Sequence, residues 1–259
     1  MSFLGIDTTA VIRNFQLHDY LQSLPLTDMR SMILLNVFYF VAIFVLTKIM
    51  KKREAFNPRK FMIFYNFTCM CLATYCFVGM VWFYYSKGNA FTCQTVDFDT
   101  NDSKWLAHFI YIYYVQKYWE YIDTFLFVLR KSFRQVTFLH VYHHSSVTAV
   151  VRLFLMTYPG GDNCILVIAN SFIHMLMYTH YLCSVLKMKC WWRSYLTKLQ
   201  LIQFLIITYV NVVDLIKGNC QIPTWMNYLM IGYMITMIVL FSRFYISRYL
   251  TAPAKPKEA

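Results

Sequence analysis

Three histidines within five positions of an otherwise apolar stretch are the strongest chemical signal in the sequence. They are His140, His143 and His144, in the run FLHVYHH. Residues three and four positions apart lie on one face of a helix, so the three imidazoles are predicted to point to the same side. Imidazole can bind a metal, transfer a proton near neutral pH, or attack a thioester as a nucleophile. These chemistries are the first hypotheses for the site.

Neighbouring apolar segments contain polar residues that helical spacing would bring towards the histidines. In the run KYWEYIDT, Lys117, Glu120 and Thr124 share one face, and Asp123 lies beside them. Ionisable groups inside membrane helices are energetically costly and are therefore candidates for function. The other candidates, in the following segments, are Asn170, His174, Tyr178, Tyr181, Gln200 and Gln203. Two interpretations remain open: a polar wall of an active site, or a seam in which the acids neutralise Lys117 and hold helices together.

The composition predicts the elements that must position these groups. The chain of 259 residues is 59% hydrophobic and 19% aromatic, with a mean hydropathy of +0.44. Apolar runs of about 20 residues have the length of a bilayer-spanning helix. We predict an all-α polytopic membrane protein whose helices surround a central substrate tunnel, polar at first and then apolar. The seven predicted spans are roughly 32–50, 61–85, 105–129, 136–157, 164–186, 195–216 and 225–247.

The charge distribution predicts the topology of these spans. The formal net charge is +12, and cations are concentrated in 51–60, in 130–134, in 187–198 and after residue 243. The positive-inside rule then places the N-terminus in the lumen and the C-terminus in the cytosol. Cytosolic cations would also attract an anionic substrate, and the charge does not require a nucleic acid partner.

Three regions follow from this topology. They are a lumenal segment 1–31, a transmembrane catalytic domain 32–247 and a cytosolic tail 248–259. The tail ends in KPKEA. Lys255 and Lys257 in it match a dilysine signal for retrieval to the endoplasmic reticulum, which predicts a multi-pass protein of that membrane.

Two of the eight cysteines are predicted to form a disulfide. The sequence has no CxxC spacing typical of zinc or redox sites. Most cysteines lie in or near spans and are expected to fill the core. Cys93 and Cys220 fall instead in loops on the predicted lumenal side, where disulfides persist.

Two other functions fit parts of the sequence. HxxHH boxes occur in di-iron membrane desaturases and hydroxylases, but such sites use about eight imidazoles. This chain has seven histidines, and His18 and His108 lie far from the cluster. A seven-helix receptor or transporter would fit the topology. The third predicted span, however, does not end in Asp-Arg-Tyr, and the seventh has no Asn-Pro-x-x-Tyr.

Four motifs in order resemble those of the ELO (ELOVL-type) very-long-chain fatty-acid elongases. The motifs KxxExxDT, HxxHH, HxxMYxYY and TxxQxxQF are matched by KYWEYIDT, FLHVYHH, HMLMYTHY and TKLQLIQF. Gln135, five positions before the first histidine, resembles the branch that includes polyunsaturated-chain elongases, and it is grouped with the active-site polar residues. His180 departs from the pattern, because it replaces the first tyrosine of MYxYY. A different substrate preference is therefore expected at that position.

The resemblance implies a 3-oxoacyl-CoA synthase, an acyltransferase that condenses acyl-CoA with malonyl-CoA. By position, His143 would form an acyl-imidazole, His174 would assist malonyl decarboxylation, and His140 and His144 would orient His143. No metal or redox cofactor is implied. The implied partners are the two CoA substrates, lipids of the endoplasmic reticulum, the reductases and dehydratase of the elongation cycle, and a second copy in a homodimer.

Overall fold

The structure is a computed structural model that describes residues 20–86, 88, 91–97 and 101–250. The predictions for residues 1–19, including His18, and for Lys255 and Lys257 in the tail fall outside these residues. Within them the protein is all-helical, and no β-strand is present. The predicted fold class is confirmed.

Eight α-helices have both of their ends within the described residues. They are α1 (Met29–Lys51), α2 (Arg59–Ser86), α3 (Asn101–Trp119), α4 (Tyr121–Leu129), α5 (Phe138–Thr157), α6 (Asn163–Val185), α7 (Leu196–Lys217) and α8 (Thr224–Tyr245). Short 3₁₀ turns lie at Phe133–Gln135 and Trp191–Tyr195, and a π-helical turn lies at Ile246–Leu250.

In the part of the chain that the structure describes, five helical segments are long and apolar enough to cross a membrane. They correspond to α1, α2, α6, α7 with its preceding turn, and α8. Large apolar side chains on α1, among them Phe38 and Phe44, are exposed, as expected for a surface in contact with lipid. The two other passes, α3–α4 and α5, contain the Lys117–Glu120 pair and the three clustered histidines. These two passes are more polar than the five apolar segments. The total of seven membrane spans therefore stays a prediction.

The third predicted span is broken where a single helix was expected. α3 ends at Trp119 and α4 begins at Tyr121. The amide of Glu120 still donates to the Gln116 carbonyl at 2.9 Å, but the next bond, from the Asp123 amide to the Glu120 carbonyl, has i to i+3 spacing at 3.1 Å. With this tighter hydrogen bond, Glu120 belongs to neither helix, although its φ of −67° and ψ of −13° stay in the right-handed helical region. Neither proline nor glycine lies there, so the buried contacts of the Glu120 side chain are the local feature that accompanies the break.

Close helix packing positions the polar face. α2 packs mainly against α6, and α7 packs mainly against α8. α2 also approaches α3 so closely at Gly79 that a Cβ atom there would collide with the Phe109 ring. A side chain at this position would push apart α2 and the helix that holds Lys117.

Arg152 is a charged residue inside the fourth predicted span. Its Nε donates to the Thr27 carbonyl at 2.7 Å, and Thr27 is buried just before α1. The cation therefore joins α5 to the start of α1.

A disulfide and several hydrogen bonds connect the loops at one end of the bundle. We call this end the disulfide end. Cys93 and Cys220, the pair expected from the sequence, form a disulfide with a Cα–Cα distance of 4.8 Å. The Cys93 amide donates to Asp214 Oδ1 at 3.0 Å, and the Gln94 amide donates to both Asp162 oxygens at 3.2 and 3.3 Å. Two buried carboxyl groups thus hold the loop 91–97.

We predict that this carboxyl pair makes stability depend on pH. Burial and the neighbouring Asp214 carboxyl raise the pKa of Asp162 to about 7. Between about pH 4 and pH 7 the folded protein therefore keeps a proton on Asp162 that the unfolded chain releases. Binding this proton stabilises the folded state, and the stabilisation is lost as pH rises through 7. The melting temperature should be higher at pH 6 than at pH 8. Asp162→Asn should remove this difference and raise the melting temperature at pH 8 by roughly 2–4 °C.

The pH effect can be measured by following thermal unfolding of purified protein at both pH values through tryptophan fluorescence. Glu54→Gln, which changes an exposed carboxylate, is the matched control and should leave the pH difference intact. An Asp162→Asn variant with the same pH difference as the native chain would contradict the assignment.

Candidate active site

A buried ionic cluster joins α3 to α6. Lys117 Nζ donates to Glu120 Oε1 and Oε2 at 3.0 and 3.2 Å, and His174 Nδ1 lies 2.9 Å from Glu120 Oε1. Lys117 and Glu120 are 1% and 0% exposed. Because a carboxylate paired with lysine can only accept, His174 donates through Nδ1, which leaves its Nε2 lone pair available.

The same cluster fixes the orientation of Asn170. Its Oδ1 accepts from Lys117 Nζ at 3.1 Å and from the Tyr113 hydroxyl at 2.7 Å. A lysine ammonium can only donate, so this end of the amide must be the oxygen. The Nδ2 end is then left to donate to another group, and Asn170 lines the cavity that contains His143.

A narrow internal cavity brings His143 together with Asn170 and Gln203. Its remaining walls are mostly apolar and come from α3 and α5 to α8; they are Tyr113, Val147, Val150, Val151, Leu166, Phe204, Ile207, Tyr233, Met234 and Met237. His143 Nδ1 and Gln203 Oε1 are buried and have no hydrogen-bond partner in the protein. Buried polar atoms are normally paired, so two unpaired atoms in one cavity indicate a place for a ligand.

The other two clustered histidines lie on the side of α5 nearest α4 and α1. Thr137 caps α5 by accepting from the His140 amide at 3.2 Å. His140 Nε2 is hydrogen-bonded to Thr124 Oγ1 at 2.8 Å, and Thr124 Oγ1 is bonded to the Tyr39 hydroxyl at 2.8 Å. The His144 ring is buried, and its centroid lies 4.4 Å from that of the His140 ring and 5.5 Å from that of the His143 ring. This chain of contacts sets the position of the helix face from which His143 projects.

Asp123 takes part in a separate interaction and is not bonded to Lys117. The Tyr178 hydroxyl donates to Asp123 Oδ2 at 2.7 Å, and both residues are buried. Tyr181 packs edge-to-face on Tyr178, with ring centroids 5.9 Å apart. The pair links α4 to α6 beside the Glu120–His174 contact.

Three sequence-predicted residues lie apart from this site. Gln135 is exposed at the end of the first 3₁₀ turn, where the chain turns before α5, and its place in the active-site polar network stays a prediction. Gln200 is half-buried on α7, one turn before Gln203, and does not line the cavity. His180 is half-buried two residues after Tyr178, outside the cavity lining, and faces Arg193.

Several residues that contact the site were not predicted from the sequence. Tyr113 lies four positions before Lys117 on the same helix face, and this spacing was a usable signal. Asn36 and Tyr39 reach the site from α1, where the Tyr121 hydroxyl donates to Asn36 Oδ1 at 3.1 Å. Asn36 is the one amide in the apolar run 32–46, which could have marked it.

Potential metal ligands of the described residues come together at the disulfide end. In residues 20–250, as far as they are described, the one group of three potential ligands with atoms within 4.8 Å of one another is Cys93, Asp214 and Cys220. It lies at the disulfide end, and two of its sulfurs are bonded to each other. None of His140, His143 and His144 belongs to this group.

Comparisons with known proteins show the family of this chain. Residues 24–257 match the model of the ELO (GNS1/SUR4) family. The chain is 36% identical to very long chain fatty acid elongase 4 of Homo sapiens over 228 residues, covering 86% of this chain and 72% of the relative. It is 34% identical to elongase 2 of Mus musculus over 225 residues, covering 86% and 77%, and 33% identical to elongase 5 of Bos taurus over 251 residues, covering 96% and 81%. The chain therefore belongs to the ELO family of fatty acid elongases.

Proposed function

We propose that this protein catalyses the condensing step of fatty-acid elongation. Acyl-CoA and malonyl-CoA, with one proton, would give 3-oxoacyl-CoA, CO₂ and CoA, and the acyl chain would grow by two carbons. The observation that best supports this is the unpaired His143 imidazole in an apolar-walled cavity, beside a buried Lys117–Glu120–His174 cluster. Family membership supports the reaction class, and the following steps are inferred from the site.

In the first half-reaction, His143 attacks the carbonyl carbon of the acyl thioester. A carbon–nitrogen bond forms and the carbon–sulfur bond breaks, and CoA leaves as a thiol with the proton of the imidazole. His140 and His144 hold the α5 face in position through the contacts to Thr124 and Tyr39. The apolar walls exclude water, which would otherwise hydrolyse the acyl-imidazole.

In the second half-reaction, malonyl-CoA loses CO₂ and its C2 attacks the acyl carbon. The electron pair of the broken carbon–carbon bond forms the new bond, the carbon–nitrogen bond breaks, and one proton returns to His143. The Asn170 Nδ2 is the donor best placed to stabilise negative charge on a thioester oxygen, because its Oδ1 is held by Lys117 and Tyr113. His174, oriented by Glu120, would assist the decarboxylation or polarise the malonyl carbonyl.

The CoA groups would bind at the opposite end of the bundle from the disulfide, which we call the basic end. Its loops and helix ends contain many cations, among them Lys60, Arg134, Lys187, Arg193 and Lys198. Phosphate groups favour such a surface. We further propose that this end faces the cytosol at the endoplasmic reticulum, that reductases and a dehydratase of the elongation cycle process the product there, and that polyunsaturated acyl-CoA is among the substrates.

The function can be tested in membranes whose only added activity is this protein. Radiolabelled malonyl-CoA would be supplied with saturated, monounsaturated and polyunsaturated acyl-CoAs, and the 3-oxoacyl products would be separated. Label in a chain two carbons longer is the expected result. Folded protein that incorporates no label with any primer would overturn the proposed function.

Exchanging His180 for tyrosine is expected to change which acyl-CoA is preferred. His180 lies beside the α6 turn that holds Tyr178, and its Nδ1 is buried without a partner. A tyrosine would place a bulkier ring and a hydroxyl at position 180. The proposed path of acyl-CoA from the basic end into the bundle passes this position. The same acyl-CoA panel should show a several-fold shift in relative rates with little change in melting temperature. An unchanged product profile would argue against a role in preference.

A further inference from the structure

The chain reverses direction immediately after α6. The Lys187 amide donates to the Ser184 carbonyl at 3.2 Å, and the Met188 amide donates to the Cys183 carbonyl at 2.8 Å. Lys187 adopts a positive φ of 63°, so the two bonds form a Schellman-type end of the helix. The residues after α6 therefore begin next to Cys183 instead of continuing away from it.

Residues 187–195, which we call the strap, then run back along the last two turns of α6. Trp192 Nε1 donates to the Leu176 carbonyl at 3.1 Å, seven residues before Cys183. With Met188 held at Cys183 and Trp192 held at Leu176, Cys190 must lie between these two attachments.

This path brings two free thiols together. Cys183 and Cys190 are both half-buried and unoxidised. The two attachments of the strap, at Cys183 and Leu176, place Cys190 alongside Cys183, near enough for the Cys183 thiol to shift the pKa of Cys190. Cys71, by contrast, is an exposed free cysteine on α2. The proposed active site uses neither Cys183 nor Cys190.

We propose that Cys183 and Cys190 are a reversible dithiol–disulfide site that ties the strap to α6. With hydrogen peroxide as oxidant, one thiolate attacks a peroxide oxygen, the oxygen–oxygen bond breaks, and a sulfenic acid and water form. The second thiol attacks the sulfenic sulfur and expels a second water. Two thiols thus give two electrons to one peroxide, and a thiol reductant reverses the change.

Neighbouring groups set the rate of this oxidation. Loss of hydration and the adjacent Cys183 thiol raise the pKa of Cys190. Because the thiolate is the reacting form, oxidation is expected to be slow at neutral pH and faster as the pH rises.

The disulfide would also affect turnover, and this consequence rests on the proposed function. The strap contains Lys187, Lys189 and Arg193, which are among the cations proposed to bind CoA. It also lies along the helix that holds Asn170 and His174. A strap fixed to α6 cannot move aside as CoA enters and leaves, so the oxidised protein should turn over several-fold more slowly.

Peptide mapping of the full-length purified protein tests the site without reference to activity. The protein is treated with hydrogen peroxide, free thiols are blocked with N-ethylmaleimide, and the chain is digested with trypsin. Cleavage at Lys187 and Lys189 separates Cys183 from Cys190 unless a disulfide joins them. The expected product is a cross-linked peptide pair that disappears on reduction, is absent from Cys190→Ser, and persists in the matched control Cys71→Ser. Cys183 and Cys190 that remain separately labelled even with copper–phenanthroline, a catalyst of disulfide formation between adjacent thiols, would overturn the proposal.

The condensation assay then tests the consequence for turnover. Oxidation should slow the native protein several-fold, and Cys183→Ser/Cys190→Ser should be insensitive to peroxide. A disulfide that forms without a change in turnover would disprove the link to CoA exchange. Disulfide formation in a protein with no condensation activity would instead count against the proposed function and leave the redox site intact.

Discussion

Replacing His143 with alanine is expected to lower the condensation rate by at least about 10³-fold, as loss of a covalent nucleophile commonly does. Without the imidazole, no acyl group can be held between the two half-reactions. Fold stability should change little, because the His143 Nδ1 makes no hydrogen bond in the protein and the residue is only half-buried.

The measurement is the initial rate of 3-oxoacyl-CoA formation per folded molecule, with folding verified by size-exclusion chromatography and melting temperature. His108→Ala is the matched control. This histidine lies on α3 towards the disulfide end, where it is hydrogen-bonded to Tyr75, and it should retain near-native activity. A folded His143→Ala variant with a tenth or more of the native rate would disprove the assignment of the nucleophile.

Replacing Glu120 with glutamine is expected to be the most destabilising conservative change in the site. Lys117 would keep its charge at 1% exposure with no carboxylate to neutralise it. Breaking a buried ion pair by removing one partner lowers the free energy of unfolding by about 3–5 kcal/mol. The melting temperature should fall by roughly 10 °C, and condensation should fall too, because His174 loses its orienting carboxylate.

A second change separates the structural effect from the catalytic one. Lys117→Met combined with Glu120→Gln removes both charges and should recover most of the lost stability. Condensation should remain low, because Lys117 no longer fixes the Asn170 amide. Glu54→Gln, an exposed glutamate at the basic end, should match the native protein in both measurements. If Glu120→Gln alone were as stable as the native chain, the buried pair would not have the role assigned to it.

The local features of the site could be predicted from sequence because they depend on helical spacing. Lys117, on α3, and Glu120, in the break that follows α3, are three residues apart and form the expected pair. His140, His143 and His144 lie on one helix, α5, although they have different partners. The loop positions of Cys93 and Cys220 likewise fit the disulfide in the structure.

The remaining features depend on contacts between distant segments, which spacing cannot show. The partner of Asp123 is Tyr178, 55 residues away, and Thr124 meets Tyr39, 85 residues away. Gln135 lies close to the histidines in sequence, but the chain turns at the 3₁₀ segment and leaves it exposed. The break at Glu120 was missed because no helix-breaking residue marks it.

The most direct test of the central claim is to isolate the acyl-enzyme. Purified protein would be incubated with radiolabelled acyl-CoA in the absence of malonyl-CoA, digested, and mapped by mass spectrometry. The account predicts release of free CoA and an acyl group on the peptide that contains His143, which is then transferred when malonyl-CoA is added. Condensation-competent protein in which acyl label is found on a cysteine, or on no residue at all, would contradict it.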